Sequence, residues 1–250
     1  MPLQKPQDVI PHLGKPCHWK QGRSAKSLAD SWFFAGDIPA AIRSLLVQSE
    51  YLAGAELLEA WLERETDLED GRATPSQTDL IALLGIGVKL AVLGIEAKVD
   101  ESFGPFVSEW LEGGSEGKSR RLAKLCALFQ IIPAEVGHLR YQLFHRTAAA
   151  ILEAKRFRSN TAILIVQSFC PKATGLSVCS LCDEGLRPGA SPDDSGTILS
   201  ERDISEDTST EEKLFLDFWV VFGVTSASHK EHDTTAKPPG PGFGLQLPSV

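Results

Sequence analysis

Asp79, Glu96 and Lys98 are the residues of this 250-residue chain whose types and spacing could do chemistry together. Glu96 and Lys98 stand two apart in Ile95-Glu96-Ala97-Lys98, so on a strand they point to one face and Ala97 to the other. The run Leu90 to Ile95 is apolar on both faces and reads as a buried central strand. Two ionisable side chains on such a strand are costly unless something pairs or uses them. Ser76-Gln77-Thr78-Asp79 opens the neighbouring strand and brings a second carboxylate to the same place. A divalent metal held by Asp79 and Glu96, with Lys98 beside an attacking water, would use all three. The competing readings are that Asp79 merely begins a strand after a Ser/Thr turn, and that Glu96 and Lys98 are an ion pair on a sheet edge.

The elements that must position these residues follow from periodicity. The polar stretch 1–25, with Pro2, Pro6, Pro11 and Pro16, reads as an extended lead-in. Ser27 to Phe34 is a short helix, and Asp37-Ile38-Pro39 predicts a helix start with Asp37 as cap. Ala41, Leu45, Leu46, Leu52, Ala55, Leu58 and Leu62 extend helical packing to about Glu63, with a break near Ser49 and a short strand over Glu65 to Asp70. Asp79 to Leu84 and Lys89 to Val99 form an apolar hairpin. Helices are expected over Phe103 to Leu111, Lys118 to Phe129 and His138 to Phe157, then a buried strand over Thr161 to Phe169. Residues 170–210 read as a flexible insertion, Leu214 to Phe222 as a last amphipathic helix, and 224–250 as a disordered tail. The domain is thus expected to span 26–223. Trp61, Trp110 and Trp219 lie on helical apolar patterns and read as core. Helix, three strands, helix and strand make an α/β layer arrangement with a mixed sheet.

Composition bounds the rest. A hydrophobic content of 42% is that of an ordinary globular chain. No run of about 18 uninterrupted apolar residues exists and the N-terminus has no apolar signal region, so no membrane partner is expected and a cytoplasmic location is. Net charge is −8, yet nine Lys/Arg between Lys118 and Arg158 face only Glu135 and Glu153, a local basic surface that could hold a polyanion or simply be solvated. Five cysteines include the lone pair Cys179 and Cys182, which reads as incidental thiols, or else as half of a zinc site. On the long helix, Gln142, His145 and Arg146 share a face and form one polar cluster in which Arg146 could contact a phosphate. His145 alone could equally be a structural hydrogen-bonding histidine.

The order of elements, with Asp79 on the second strand and Glu96-Ala97-Lys98 on the third, resembles the PD-(D/E)XK nuclease superfamily over about Glu56 to Phe169. Sixteen residues between Asp79 and Glu96 suit the hairpin, while Thr78 stands where the family has proline. The resemblance implies a restriction-endonuclease-like mixed sheet flanked by helices, with extra helices inserted after the third strand. It implies Mg²⁺ or Mn²⁺ bound by Asp79 and Glu96, and Lys98 positioning the hydrolytic water. It implies a third carboxylate from the first helix, Glu56 or Glu59, and a Gln-x-x-His over Gln142 and His145. The expected partner is nucleic acid, DNA foremost, and such enzymes often act as homodimers. The alternative is a catalytically inactive module that keeps the fold and binds nucleic acid or a protein.

Overall fold

The computed structural model describes residues 5–14, 18–71, 74–99, 101–169, 197–203, 217–224 and 245–246. Its centre is a four-stranded mixed sheet. Strands β1 (Glu56–Thr66), β2 (Ser76–Ile86) and β3 (Lys89–Lys98) form an antiparallel meander, and β4 (Thr161–Ser168) returns parallel to β3. The backbones of β5 (Thr197–Asp203), β6 (Asp217–Val224) and β7 (Leu245–Gln246) extend the sheet to the order β5-β6-β4-β3-β2-β1-β7. β3 is therefore internal, as its apolar run demands, with every side chain from Ala91 to Lys98 buried.

Helices cover both faces. A 3₁₀ turn at Pro6–His12 precedes α1 (Ser24–Ala35) and α2 (Ala40–Leu46). Leu28, Trp32, Ile42 and Leu45 of α1 and α2 join one core with Leu62, Leu80, Leu93, Ile95 and Ala97. Between β3 and β4 lie α3 (Val107–Leu111), α4 (Glu116–Phe129) and α5 (Tyr141–Arg156), the expected insertion after the third strand. The Ala148 to Ile151 segment and Ala154 carry little bulk, and Ala150, Ile151 and Ala154 pack on Trp61, Ile81, Val92 and Ala162. A Cβ on Gly94 would stand 3.5 Å from that of Ala150, so α5 lies close above β3 and its polar N-terminal turns reach the end of that strand.

Several expectations change. β1 replaces the helix expected up to Glu63, because pairing with β2 outweighs the helix preference of Glu, Leu, Ala and Arg. Asp37 is not the helix cap: Pro39 is, while Asp37 binds the Ile38 amide and Arg43. The lead-in contains the 3₁₀ turn and the start of α1. The stretch expected as a flexible insertion contains β5, the expected last helix contains β6, and the expected tail contains β7. The rest of those stretches, including Cys179 and Cys182, lies outside the described residues. Trp61 is buried and Trp110 packs against the α4–α5 core, while the surroundings of Trp219 lie outside what is described. Among the described residues no helix is long and apolar enough to cross a membrane.

The β2–β3 hairpin turns through Gly87 and Val88, with Ile86 paired to Lys89 and Gly87 at φ 58°. Such a two-residue turn needs the left-handed conformation that glycine adopts freely. Gly87→Ala should cost about 1–2 kcal/mol in urea unfolding. Val88→Thr, at a fully exposed side chain, should leave the midpoint unchanged. Equal midpoints for both variants would remove this account of the turn.

Candidate functional site

Three neighbouring strands each bring a carboxylate to one end of the sheet. Between the paired positions Leu62↔Leu80 and Arg64↔Thr78, β1 and β2 carry Glu63 and Asp79. The backbone is irregular there. Leu62 and Leu80 pack toward α1 and α2, but Arg64 and Thr66 reach Glu153 on α5 and Ser76 reaches His145 on α5. Side chains of equal parity therefore change face across Glu63 and Asp79. Glu63 takes φ 53°, a left-handed conformation costly for a residue with a Cβ. Asp79 turns toward β3, where its Oδ2 accepts the Ala97 amide at 2.7 Å.

Glu96 is almost wholly buried, at 2% exposure, and its two oxygens are engaged. Oε1 accepts from Lys98 Nζ at 2.8 Å and Gln142 Nε2 at 2.6 Å. Oε2 accepts from Arg146 Nε at 2.8 Å. Lys98 also donates to Gln142 Oε1 at 3.1 Å and lies 5.2 Å from the centre of the Phe103 ring. Arg146 donates on to Ser76 Oγ at 2.9 Å, and that hydroxyl is 2.9 Å from His145 Nδ1.

Electrostatics separate the three acids. Burial, then the charges of Asp79 and Glu96, push Glu63 up to about 8, with Arg146 opposing. Burial, then Glu96, push Asp79 up to about 7, against Arg146, the Ala97 amide and Lys98. Among the described residues Glu63 has neither a hydrogen bond nor an ion pair. Burial, with Arg146 and Arg121 nearby, lowers His145 to about 3 and keeps its ring neutral.

Glu63 and Asp79 line a cavity of about 530 Å³ together with His18, Lys20, Arg23 and Glu101. Among the described residues no three His, Cys, Asp or Glu side chains form a group ready to hold a metal ion. The local donors are nevertheless hard oxygens, and Glu63 and Asp79 repel each other in a half-buried setting, which a divalent cation would relieve.

Of the residues singled out from the sequence, the fold unites Asp79, Glu96, Lys98, Gln142 and Arg146; His145 joins through Ser76. It does not bring in Glu56 or Glu59. Both lie on β1 rather than a helix, paired at the Gly85 and Leu83 end of β2. Six residues lie between Glu56 and Glu63 on the strand, a span of about 23 Å. Glu63 takes the place expected of Glu56; no local pattern marks it, and only the β1–β2 register finds it. Glu101 is likewise unmarked by any local pattern, and Ser76, legible only as the start of β2, is found here to bond His145 and Arg146.

Part of the basic surface between Lys118 and Arg158 is engaged within the fold, while Arg120, Lys124, Lys155, Arg156 and Arg158 stay exposed. Arg121 pairs with buried Asp70, Arg120 with Glu116, Arg156 with Glu153 and Arg146 with Glu96. Lys118 binds the Trp110 carbonyl and Arg140 that of Gly104.

Residues 2–184 match the family described as Domain of unknown function (DUF6946). No curated protein and no solved structure matches the chain.

Proposed function

The chain belongs to the DUF6946 family, and we propose that its acidic centre hydrolyses phosphodiester bonds in DNA with a bound Mg²⁺ or Mn²⁺. The observation that carries this reading is the meeting of Glu63, Asp79 and Glu96 with Lys98 from three adjacent strands, two of the acids opening on a cavity. The order β1–β2–β3, then α5, then β4 parallel to β3 supports the finer assignment to a restriction-endonuclease-like fold.

Asp79 and Glu63 would hold the metal, with Glu96 the third acid. Mg²⁺ keeps several waters and needs only one or two carboxylates, so Glu63 and the remaining oxygen of Asp79 suffice. The metal would neutralise phosphoryl oxygens and favour deprotonation of a bound water. Lys98, fixed by Glu96 and Gln142, keeps an ammonium beside the acids, where it stabilises negative charge developing on the phosphate. Gln142 orients Lys98 and Glu96 together. Arg146 offers guanidinium donors to a phosphate at the same end of α5. His145, neutral and bonded to Ser76, orients the hydroxyl that Arg146 holds.

One observation favours a second reading, a nuclease-fold module without catalysis: both oxygens of Glu96 are taken by cations and an amide. Cleavage separates the two. Plasmid and single-stranded DNA should be cut by the pure protein with Mg²⁺ or Mn²⁺, not with EDTA. Lys98→Ala should lower the rate by about 10²–10³-fold, the size of losing one charge-stabilising donor. No cutting by folded wild-type protein with either metal would favour the module, and undiminished cutting by Lys98→Ala would remove that lysine from the reaction.

A further inference from the structure

The 530 Å³ cavity has a second wall, and nothing in the acidic centre accounts for it. Opposite Glu63 and Asp79, the segment leading into α1 contributes His18, Lys20 and Arg23. A tight turn sets their spacing: the Lys20 amide donates to the His18 carbonyl at 3.0 Å and the Arg23 amide to the Lys20 carbonyl at 3.1 Å. Lys20 and Arg23 are exposed, and among the described residues Lys20 has no ion-pair partner. The volume lies within the roughly 300–1,000 Å³ of sites that enclose small ligands.

Glu101 fixes this wall against the sheet. It stands three residues beyond Lys98, and its Oε2 accepts the Val99 amide at 2.8 Å. Its Oε1 accepts the Ser24 amide at 3.4 Å and the Ser24 hydroxyl at 3.2 Å. The strand end that carries Lys98 is thus tied to the first residue of α1, directly after Arg23. The position of the wall relative to the acids is built in.

Charge gives the wall its purpose. With His18 counted neutral and all three acids ionised, as metal binding requires, Lys20 and Arg23 face Glu63, Asp79 and Glu101, a formal balance of −1 before the metal's own charge is added. A divalent cation on the acids would turn this to +1, so the cavity would attract an anion once the metal is in place. Two cationic side chains three residues apart, lining one cavity with the acids, suit the oxygens of a phosphate.

We propose that Lys20 and Arg23 form a phosphate-binding wall that holds the backbone of the substrate strand against the acidic centre. The substrate identity rests on the nuclease reading of that centre; the wall itself is a statement about phosphate. Its test is the fluorescence anisotropy of labelled single-stranded and duplex oligonucleotides on the full chain, in Ca²⁺ and in EDTA, with calcium binding measured separately by calorimetry. Lys20→Ala/Arg23→Ala should weaken oligonucleotide binding in Ca²⁺ by about tenfold or more, the effect of about 1.4 kcal/mol or more of lost charged hydrogen bonding. Lys20→Arg/Arg23→Lys, which keeps both charges, should bind within about threefold of wild type, and calcium affinity should be the same in all three proteins. Unchanged oligonucleotide binding in the alanine variant, or no binding by wild type, overturns the wall while leaving the metal centre standing. Wild type that binds no Ca²⁺ but loses its oligonucleotide on Lys20→Ala/Arg23→Ala overturns the centre and keeps the wall. Competition by deoxyadenosine monophosphate at matched phosphate concentration would assign the wall to free nucleotides; failure to compete assigns it to a polynucleotide strand.

Discussion

Glu63→Gln should stabilise the metal-free protein at pH 8 relative to wild type, and the advantage should vanish by pH 5. The sign follows from proton linkage. Glu63 and Asp79 hold their protons to about 8 and 7 in the native state, against ordinary values of 4.5 and 3.8. Between about pH 4 and 8 the native state therefore binds more protons than the unfolded chain, so stability falls as pH rises through that window and levels off above it. Each fully shifted group can contribute at most about 1.4 kcal/mol per pH unit, and partial solvent access to these half-buried acids makes the slope smaller. Glutamine at position 63 removes one of the two proton-linked groups, and it removes a charge that raises Asp79, so the variant curve should be the flatter. A bound divalent cation should act likewise, and its affinity should rise from pH 6 to 8 as it displaces protons from both acids. Thermal midpoints of wild type and Glu63→Gln, taken from pH 5 to 8.5, check this. Parallel curves would mean that Glu63 and Asp79 titrate as ordinary surface acids.

The same end of the sheet shows what the sequence could and could not reveal. β3 was legible because an unbroken apolar run ending in Glu96-Ala97-Lys98 has few places to go but a sheet interior, and alternation then placed Glu96 and Lys98 together. α5 was legible from its apolar stripe, and the face that carries Gln142 and Arg146 is the one that meets Glu96. β1 was not. Glu56-Leu57-Leu58-Glu59-Ala60-Trp61-Leu62 is composed of good helix formers, and Leu58 and Leu62 repeat at helical spacing. What makes it a strand is long-range: β2 needs an antiparallel partner, and Leu57, Ala60 and Leu62 fill one face while Trp61 fills the other. Mistaking that element moved the third acid to Glu56. The register that puts Glu63 beside Asp79 is a property of two strands, and no single segment encodes it. β6 is the reverse case, a helix expectation set against local strand preference. Phe218, Trp219, Val220, Val221 and Phe222 are strong strand formers, and β6 pairs in parallel with β4.

Glu153→Ala should cost about 3–5 kcal/mol of stability, the range for stranding one partner of a buried ion pair, while Glu96→Ala should cost distinctly less. The two glutamates look alike locally. Each is 2% exposed, lies at the α5–sheet contact and holds an arginine. Glu153 accepts Arg64 Nε and Nη2 at 3.3 and 3.2 Å and the Thr66 hydroxyl at 3.0 Å. Arg64 is itself buried, and among the described residues its other aromatic or ionic support is the Trp61 face, 5.6 Å away. Without Glu153 its charge is stranded. Lys98 and Arg146 have Asp79 and Glu63 close by, so removing Glu96 leaves two cations facing two carboxylates and also relieves a repulsion. At Glu153 one carboxylate serves Arg64 and the exposed Arg156, whereas the acidic centre sets three acids against Lys98 and Arg146. Urea unfolding of the two variants at pH 7 measures the contrast. Equal losses would mean that the centre is an ordinary buried salt-bridge network with no surplus for a metal.

The measurement that bears most directly on the acidic centre is calorimetric titration of Mn²⁺ into wild type, Asp79→Asn, Glu63→Gln and Glu56→Gln at pH 8. A metal centre built from β1, β2 and β3 predicts one site in wild type, retained in Glu56→Gln and lost or strongly weakened in Asp79→Asn and Glu63→Gln. Binding that survives in Asp79→Asn, or an absence of binding by folded wild-type protein, would contradict it.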